Sequence, residues 1–235
     1  MIGPVDDLVD GDASTVLDDP VGASLRGAHA HLARGTGRAL AYRPDVATFV
    51  AAPTSADWAD LATLLGPGGF ADLFSAPVQP PADWAPVFTM TGVQMVGGPS
   101  AVAATTAGTV RLGPADVPEM LELAALTRPG PFWPRTVEMG DYLGIRDAGR
   151  LVAMIGERLH PPGWTEISAV CTHPDHQGRG YAARLVRAAA AAITARGERP
   201  FLHVASDNDR AIALYERLGF RVRREVTFRG FRVPG

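Results

Sequence analysis

The sequence predicts a mixed α/β protein, and three features predict it. Apolar patterns of strand and helix period alternate between glycine and proline stops. An alanine-rich amphipathic helix runs from Arg179 to Ala195, with Leu185, Val186, Ala189, Ala190 and Ile193 on one face. A strand, Thr165 to Thr172, meets that helix through a glycine turn.

In the first half, Leu25, Ala28 and Leu32 suit a short helix over residues 22–33. Strands are expected at Arg38 to Tyr42 and Val46 to Ala51, around the turn Arg43-Pro44-Asp45. Thr54 precedes a helix from Ser55 to Leu65, ended by Gly66-Pro67-Gly68-Gly69, and Pro86 to Val96 reads as a strand. The small residues Gly97 to Gly108 place a domain boundary there. We divide the chain into a loose acidic N-terminus (1–19), an N-terminal α/β domain (20–108) and a second domain (109–235). The second domain reads as a strand at Thr109 to Leu112, a helix from Pro114 to Leu126 and a short helix at Arg135 to Met139. A hairpin of Tyr142 to Arg146 with Arg150 to Arg158 follows, then the strand, glycine turn and long helix. Pro200 to Val204 is a strand, Asn208 to Leu218 a helix, and Phe220 to Arg224 and Val226 to Arg232 are closing strands.

Bulk properties narrow the function. The chain has 235 residues, 46% apolar and 20% charged, as in soluble globular proteins. No apolar run reaches the ~18–20 residues of a membrane span. Met1 to Asp10 lacks a basic segment and is not expected to be a secretory signal. Cys171, the single cysteine, suits a reducing cytoplasm. Residues 1–108 carry a net charge of −7 and residues 109–235 a net of +4. An acidic first half argues against nucleic-acid binding, and a mildly basic second half suits a small anionic ligand. All 22 cationic side chains are arginine. A lysine Schiff base or a lysine-bearing phosphate loop is therefore excluded.

The most informative segment is Gln177-Gly178-Arg179-Gly180-Tyr181-Ala182, followed by Ala183. Glycines here admit close approach of a ligand to the backbone. The first amides of a helix lack internal partners and carry partial positive charge, so a diphosphate binds there without a lysine. The segment resembles the acetyl-CoA signature of the GNAT acetyltransferase superfamily: Gln or Arg, any two residues, Gly, any one, Gly or Ala. Asn208, Ala211, Tyr215 and Gly219-Phe220 resemble the second hallmark of that superfamily, in the expected order. The resemblance spans residues 109–232. It implies a mixed, mostly antiparallel central sheet, splayed at the cofactor cleft and flanked by helices, and direct transfer of an acetyl group from acetyl-CoA to a primary amine.

Residue roles follow from that resemblance. Val170, Cys171 and Thr172 would bind the pantetheine arm, and an amide near Val170 or Cys171 would support the oxyanion. Asn208 would lie beside the same arm as well as capping its helix. Tyr215, a phenol of ordinary pKa near 10, would protonate the leaving thiolate. Glu166 is the candidate general base, if burial raises its pKa, because strand alternation puts it on one face with Ser168, Val170 and Thr172. Glu157 is a second candidate. Cys171 reads as a core residue rather than a nucleophile.

Candidate acceptor residues are Phe132, Trp133, Arg135, Glu138 and Tyr142, around a proline-stiffened loop. The acceptor itself is a small-molecule or peptide amine. His173 and His176 do not make a zinc site, and no metal is expected. We expect no nucleic-acid or membrane partner, and a monomer or homodimer. Residues 20–108 weakly resemble a degenerate copy of the same fold, as in relatives of glycine N-acyltransferase, or else form a helper domain over the acceptor cleft. The rival functions are a non-catalytic CoA-binding module and an acyltransferase for longer acyl-CoAs.

Overall fold

The computed structural model describes residues 14–51, 54–55, 57–76, 78–98 and 108–235. Most of the loose N-terminus and most of the small-residue stretch before Gly108 lie outside the described residues. Ten strands are described: β1 (Ala33–Thr36), β2 (Ala39–Tyr42), β3 (Phe70–Phe74), β4 (Ala85–Gly97), β5 (Val110–Leu112), β6 (Tyr142–Asp147), β7 (Arg150–Glu157), β8 (Trp164–Thr172), β9 (Arg199–Ala205) and β10 (Phe220–Arg232). The helices are α1 (Pro20–Arg26), α2 (Trp58–Leu65), α3 (Val117–Thr127), α4 (Tyr181–Ala195) and α5 (Asp209–Arg217).

Eight strands form one sheet in the order β3-β10-β4-β9-β8-β7-β6-β5, and β1 pairs with β2 apart from it. Every neighbouring pair in the large sheet is antiparallel except β8 with β9. Strands from both sides of position 108 share this sheet, and β4 lies between β10 and β9.

Local sequence explains most of these elements. The apolar stripe predicted on α4 is buried: Leu185, Val186, Ala190 and Ile193 are fully enclosed against Ile145, Val152, Ile155 and Ile167. Each such large side chain contributes about 1.5–3 kcal/mol. Helix α3 packs Met120, Leu123 and Ala124 on the opposite face, against Leu151, Met154 and Cys171. A further cluster joins Leu17, Val21, Leu25, Tyr42 and Phe49 of the first half to Trp164 and Phe201 of the sheet.

Several expected elements differ. Residues 22–33 make α1 and a separate 3₁₀ turn, because Gly27 ends the helix. Val46 to Ala51 is no strand: Phe49 and Val50 make only isolated bridges, to Asp72 and Ala41. Arg135 to Met139 is a 3₁₀ turn over Thr136–Met139. The two closing strands are one, β10, with a register shift between Val222 and Arg224. Strand β3, unforeseen, follows the glycine turn at 66–69.

Candidate active site

The site opens where the sheet comes apart. Strand β8 pairs with β9 only from Trp164↔Arg199 to Ile167↔Leu202, and beyond Ile167 the two diverge. On the other edge of β8 the register slips: Met154 faces Cys171 but Gly156 faces Ser168. One extra residue is thus accommodated on β8, and Ala169 takes the left-handed φ of 52°. For alanine that conformation costs roughly 1–2 kcal/mol. The bulge also reverses the side-chain alternation. Ile167 and Val170 both face the α4 core, while Ala169 and Cys171 face α3. The expectation that Glu166 and Val170 share a face is therefore overturned.

The glycine turn is built as a ligand cradle. Gly178 and Gly180 have φ of 78° and 76°, and a Cβ at either position would meet no atom within 4 Å. Their glycine character answers to backbone conformation and open space, not to packing. Gly180 caps α4, and the first helical bond here is Arg184 N to Gly180 O, 3.1 Å. The amides of Tyr181, Ala182 and Ala183 are therefore left without helical acceptors. A cleft of about 410 Å³ lies over them, lined by Val170, Cys171, Thr172, Gln177, Gly178, Gly180, Tyr181, Ala182, Ala183, Asn208 and Tyr215. Thr172 Oγ1 and His176 Nδ1 are buried in its wall without hydrogen-bond partners. Free amides, orphaned polar atoms and glycine space fit a diphosphate with a polar arm. Arg179 lies apart from this lining, half exposed and 3.6 Å from Asp147.

A second cleft, about 430 Å³, lies across the splay. Thr127, Val170, Asn208, Ala211 and Tyr215 line both cavities. Asn208 caps α5 by accepting from Ala211 N at 3.1 Å. Tyr215 is packed edge-on to Phe220 and buried, which pushes its phenol up to about 12 and keeps it protonated. Burial likewise pushes the Cys171 thiol up to about 11, which suits a core residue and not a thiolate nucleophile.

Glu166 requires a correction. Its carboxylate is fully buried, held by Arg158 Nε at 2.8 Å and Arg158 Nη2 at 2.6 Å, with His203 Nδ1 at 2.6 Å. Although burial pushes its pKa up, the Arg158 charge and these hydrogen bonds outweigh that and hold it at about 2. With three hydrogen bonds accepted and its pKa held so low, this carboxylate is a poor proton acceptor for an ammonium. Gln94 Nε2 donates to His203 Nε2 at 3.1 Å and to Leu17 O, which leaves the Nδ1–H tautomer of His203 facing Glu166. Glu157 is also engaged elsewhere, 2.7 Å from Arg196 Nη2.

The predicted acceptor residues stand outside the second cleft. Tyr142 is buried beneath Phe132, ring centroids 5.8 Å apart. Arg135 is bound to Asp45 at 2.9 Å and Glu138 at 2.6 Å, which ties the loop to the first half. Trp133 donates its amide to Thr136 Oγ1. What lines the cleft instead is the start of that loop, Thr127 to Pro131, with Phe49, Asp72, Phe74, Phe88, Met90, Arg158, His203 and Phe228. The alternation of Phe70, Asp72 and Phe74 on β3 was a legible signal for one polar wall residue, but no local pattern reveals which cavity β3 faces. Among the described residues no group of three or more His, Cys, Asp or Glu is placed to hold a metal ion. His176 pairs with Asp147 at 3.0 Å instead.

Splayed strands, a bulge at the splay and a glycine cradle at a helix N-terminus define a GNAT-type fold. A family model described as FR47-like protein matches residues 142–229. An acetyltransferase of the GNAT family from Novosphingobium aromaticivorans DSM 12444 has a crystal structure that matches with a TM-score of 0.85 and 41% identity, covering 92% of this chain and 97% of that one. The chain belongs to the GNAT family of N-acetyltransferases. N-alpha-acetyltransferase RimI of Mycobacterium tuberculosis is 40% identical over 97 residues, which is 40% of this chain and 60% of that relative. A GCN5-related N-acetyltransferase from Kribbella flavida shares the fold, with a TM-score of 0.58 at 18% identity over 93% of this chain and 96% of that one.

Proposed function

We propose that this protein transfers the acetyl group of acetyl-CoA directly to a primary amine, within a ternary complex. The observation that carries this reading is the junction: Tyr215, Asn208 and Val170 line both the glycine-cradle cleft and the second cleft. One cavity would hold the cosubstrate and the other the acceptor. Bound acetyl-CoA supplies the activated thioester.

The chain's own groups supply positioning and protons. The amides at the start of α4 neutralise the diphosphate. Beyond Ile167 the inner edge of β8 has no strand partner among the described residues, so its backbone is free to pair with the pantetheine arm. The bulged backbone at Ala169 and Val170 offers an amide to the carbonyl oxygen where negative charge develops. Tyr215, kept protonated, gives its proton to the departing sulfur, and the nitrogen's surplus proton restores the phenol through water. Removing Glu166 from the base role leaves the cleft water or Asp72 to take the ammonium proton.

On this reading residues 109–235 carry the cofactor chemistry and residues 20–108 wall the acceptor cleft, a role that does not require descent from a second copy of the fold. The family-model match, residues 142–229, lies outside Phe49, Asp72, Phe74, Phe88 and Met90. Acceptor choice therefore cannot be carried over from the family match. The RimI relative's name denotes an N-alpha acceptor for that protein, and a peptide N-terminus belongs in the test. A cytoplasmic site of action suits the single buried cysteine. No helix among the described residues is long and apolar enough to cross a membrane.

The test is thiol release from acetyl-CoA across a library of primary amines and short peptides, run on wild type and Tyr215→Phe. Release that needs an amine, and that falls in the variant while CoA affinity holds, supports the assignment. CoA binding with no amine-dependent release from any acceptor refutes it in favour of a binding module.

A further inference from the structure

The second cleft contains a buried carboxylate that forms no ion pair among the described residues. Asp72 is 5% exposed and stands on β3 beside Phe74, facing the cavity, while Ala71 and Leu73 face the core behind it. Thr48 Oγ1 donates to its Oδ2 at 2.9 Å. No ion pair joins Asp72 to any described arginine or histidine, and Arg158, in the same cavity, is committed to Glu166. Burying a carboxylate on a single neutral hydroxyl is costly, and the charge is retained in a cavity whose wall includes the rings of Phe49, Phe74, Phe88 and Phe228. Arg158 already covers the Phe49 and Phe74 rings, at 5.3 and 4.5 Å, so what remains for an organic cation is the Asp72 carboxylate beside the apolar surface of Phe88 and Met90.

The geometry points to an alkylammonium group as the partner of Asp72: the acceptor is a primary amine or diamine on an apolar body, and Asp72 is its counter-ion. This inference rests on the proposed transferase reading, since it places the acceptor in the second cleft.

The other ionisable groups facing the cavity form no ion pair with Asp72, although the Arg158 charge acts on it. Arg158 and Glu166 neutralise each other, His203 is held neutral between Glu166 and Gln94, the Tyr215 phenol stays protonated, and Arg128 is exposed on the loop after α3. Burial raises the Asp72 pKa to about 6 against the opposing Thr48 hydrogen bond and the Arg158 charge, which leaves it ionised at neutral pH and able to take a cation.

The experiment is calorimetric titration of n-hexylamine, 1,6-diaminohexane and 1-hexanol into the protein saturated with CoA, at pH 7.5. Wild type, Asp72→Asn and Asp72→Ser are compared, with CoA affinity as the check on folding. We expect the amines to bind and the alcohol to fail. Both variants should lose roughly 30-fold or more in amine affinity with CoA affinity unchanged, as truncating one side of a desolvated charge pair does. A tighter diamine places a second cation at Asp72, and equal binding of the monoamine places the reacting nitrogen there. Both results support the pairing. Undiminished amine binding by the variants, hexanol binding as tightly as hexylamine, or no amine binding by a CoA-loaded wild type overturns it and leaves the cofactor reading standing. Failure of CoA itself to bind overturns both.

Discussion

Replacing Glu166 separates an ion pair that holds the fold from a base that performs chemistry. The carboxylate is fully buried and accepts two hydrogen bonds from Arg158 and one from His203. Glu166→Ala leaves the Arg158 guanidinium buried and alone, at a cost of about 3–5 kcal/mol. The titration gives a second route to the magnitude. Moving the carboxyl from 4.5 to about 2 corresponds to about 3 kcal/mol of preference for the ionised form in the folded state. For a chain of this size each kcal/mol shifts Tm by about 2–4 °C, so the variant should melt roughly 10 °C lower at pH 7. The sign with pH is fixed, because the folded pKa is depressed. The contribution is complete above the unfolded value near 4.5 and is lost as pH falls toward 2, so the Tm gap between wild type and Glu166→Gln should close in acid. Differential scanning calorimetry from pH 7 to pH 3.5, beside a rate–pH profile, reads both quantities. A Glu166→Gln protein that melts with wild type yet loses the acid limb of its rate profile would falsify the structural reading.

Tyr215→Phe should lower kcat about 10²-fold or more with little change in CoA affinity, measured by thiol release and calorimetry. Gly180→Ala should cost about 1–2 kcal/mol in stability, from the left-handed φ, and weaken CoA binding as its Cβ enters the cradle. Asp72→Asn should stabilise the free protein, by up to about 3 kcal/mol at pH 7, because the folded pKa of about 6 stands above the usual 3.8. That advantage should shrink as pH drops from 6 toward 4, and an unchanged Tm at pH 7 would count against the buried charge. Cys171→Ala should retain transferase activity, since its thiol is buried against α3; loss of turnover without loss of stability would reopen a covalent route.

The glycine cradle was legible because its signals are local. Gly178 and Gly180 adopt the positive φ that a glycine turn demands, and the apolar stripe of α4 is buried along the face its spacing marks. The second cleft was not legible, because its wall is assembled from residues distant in sequence. Asp72 reaches the cleft only through β3 pairing with β10, Gly230 opposite it, about 160 positions later. Glu166 misled for a different reason. Strand alternation is a sound rule until a bulge intervenes, and nothing in Ser168-Ala169-Val170 announces a left-handed alanine. The partner that lowers its pKa, Arg158, lies across a turn whose geometry spacing alone does not give.

Strand β4 is laced between β9 and β10, although both are made more than 100 residues later. Its ladder cannot close until nearly the entire polypeptide has left the ribosome, so the sheet is completed by long loop closures and should form slowly. Excising the N-terminal segment would strip β10 of both neighbours and bare the flank of β9, leaving adhesive edges prone to aggregation. Residues 109–235 are thus not a portable module, and expression trials of that segment alone should yield insoluble protein.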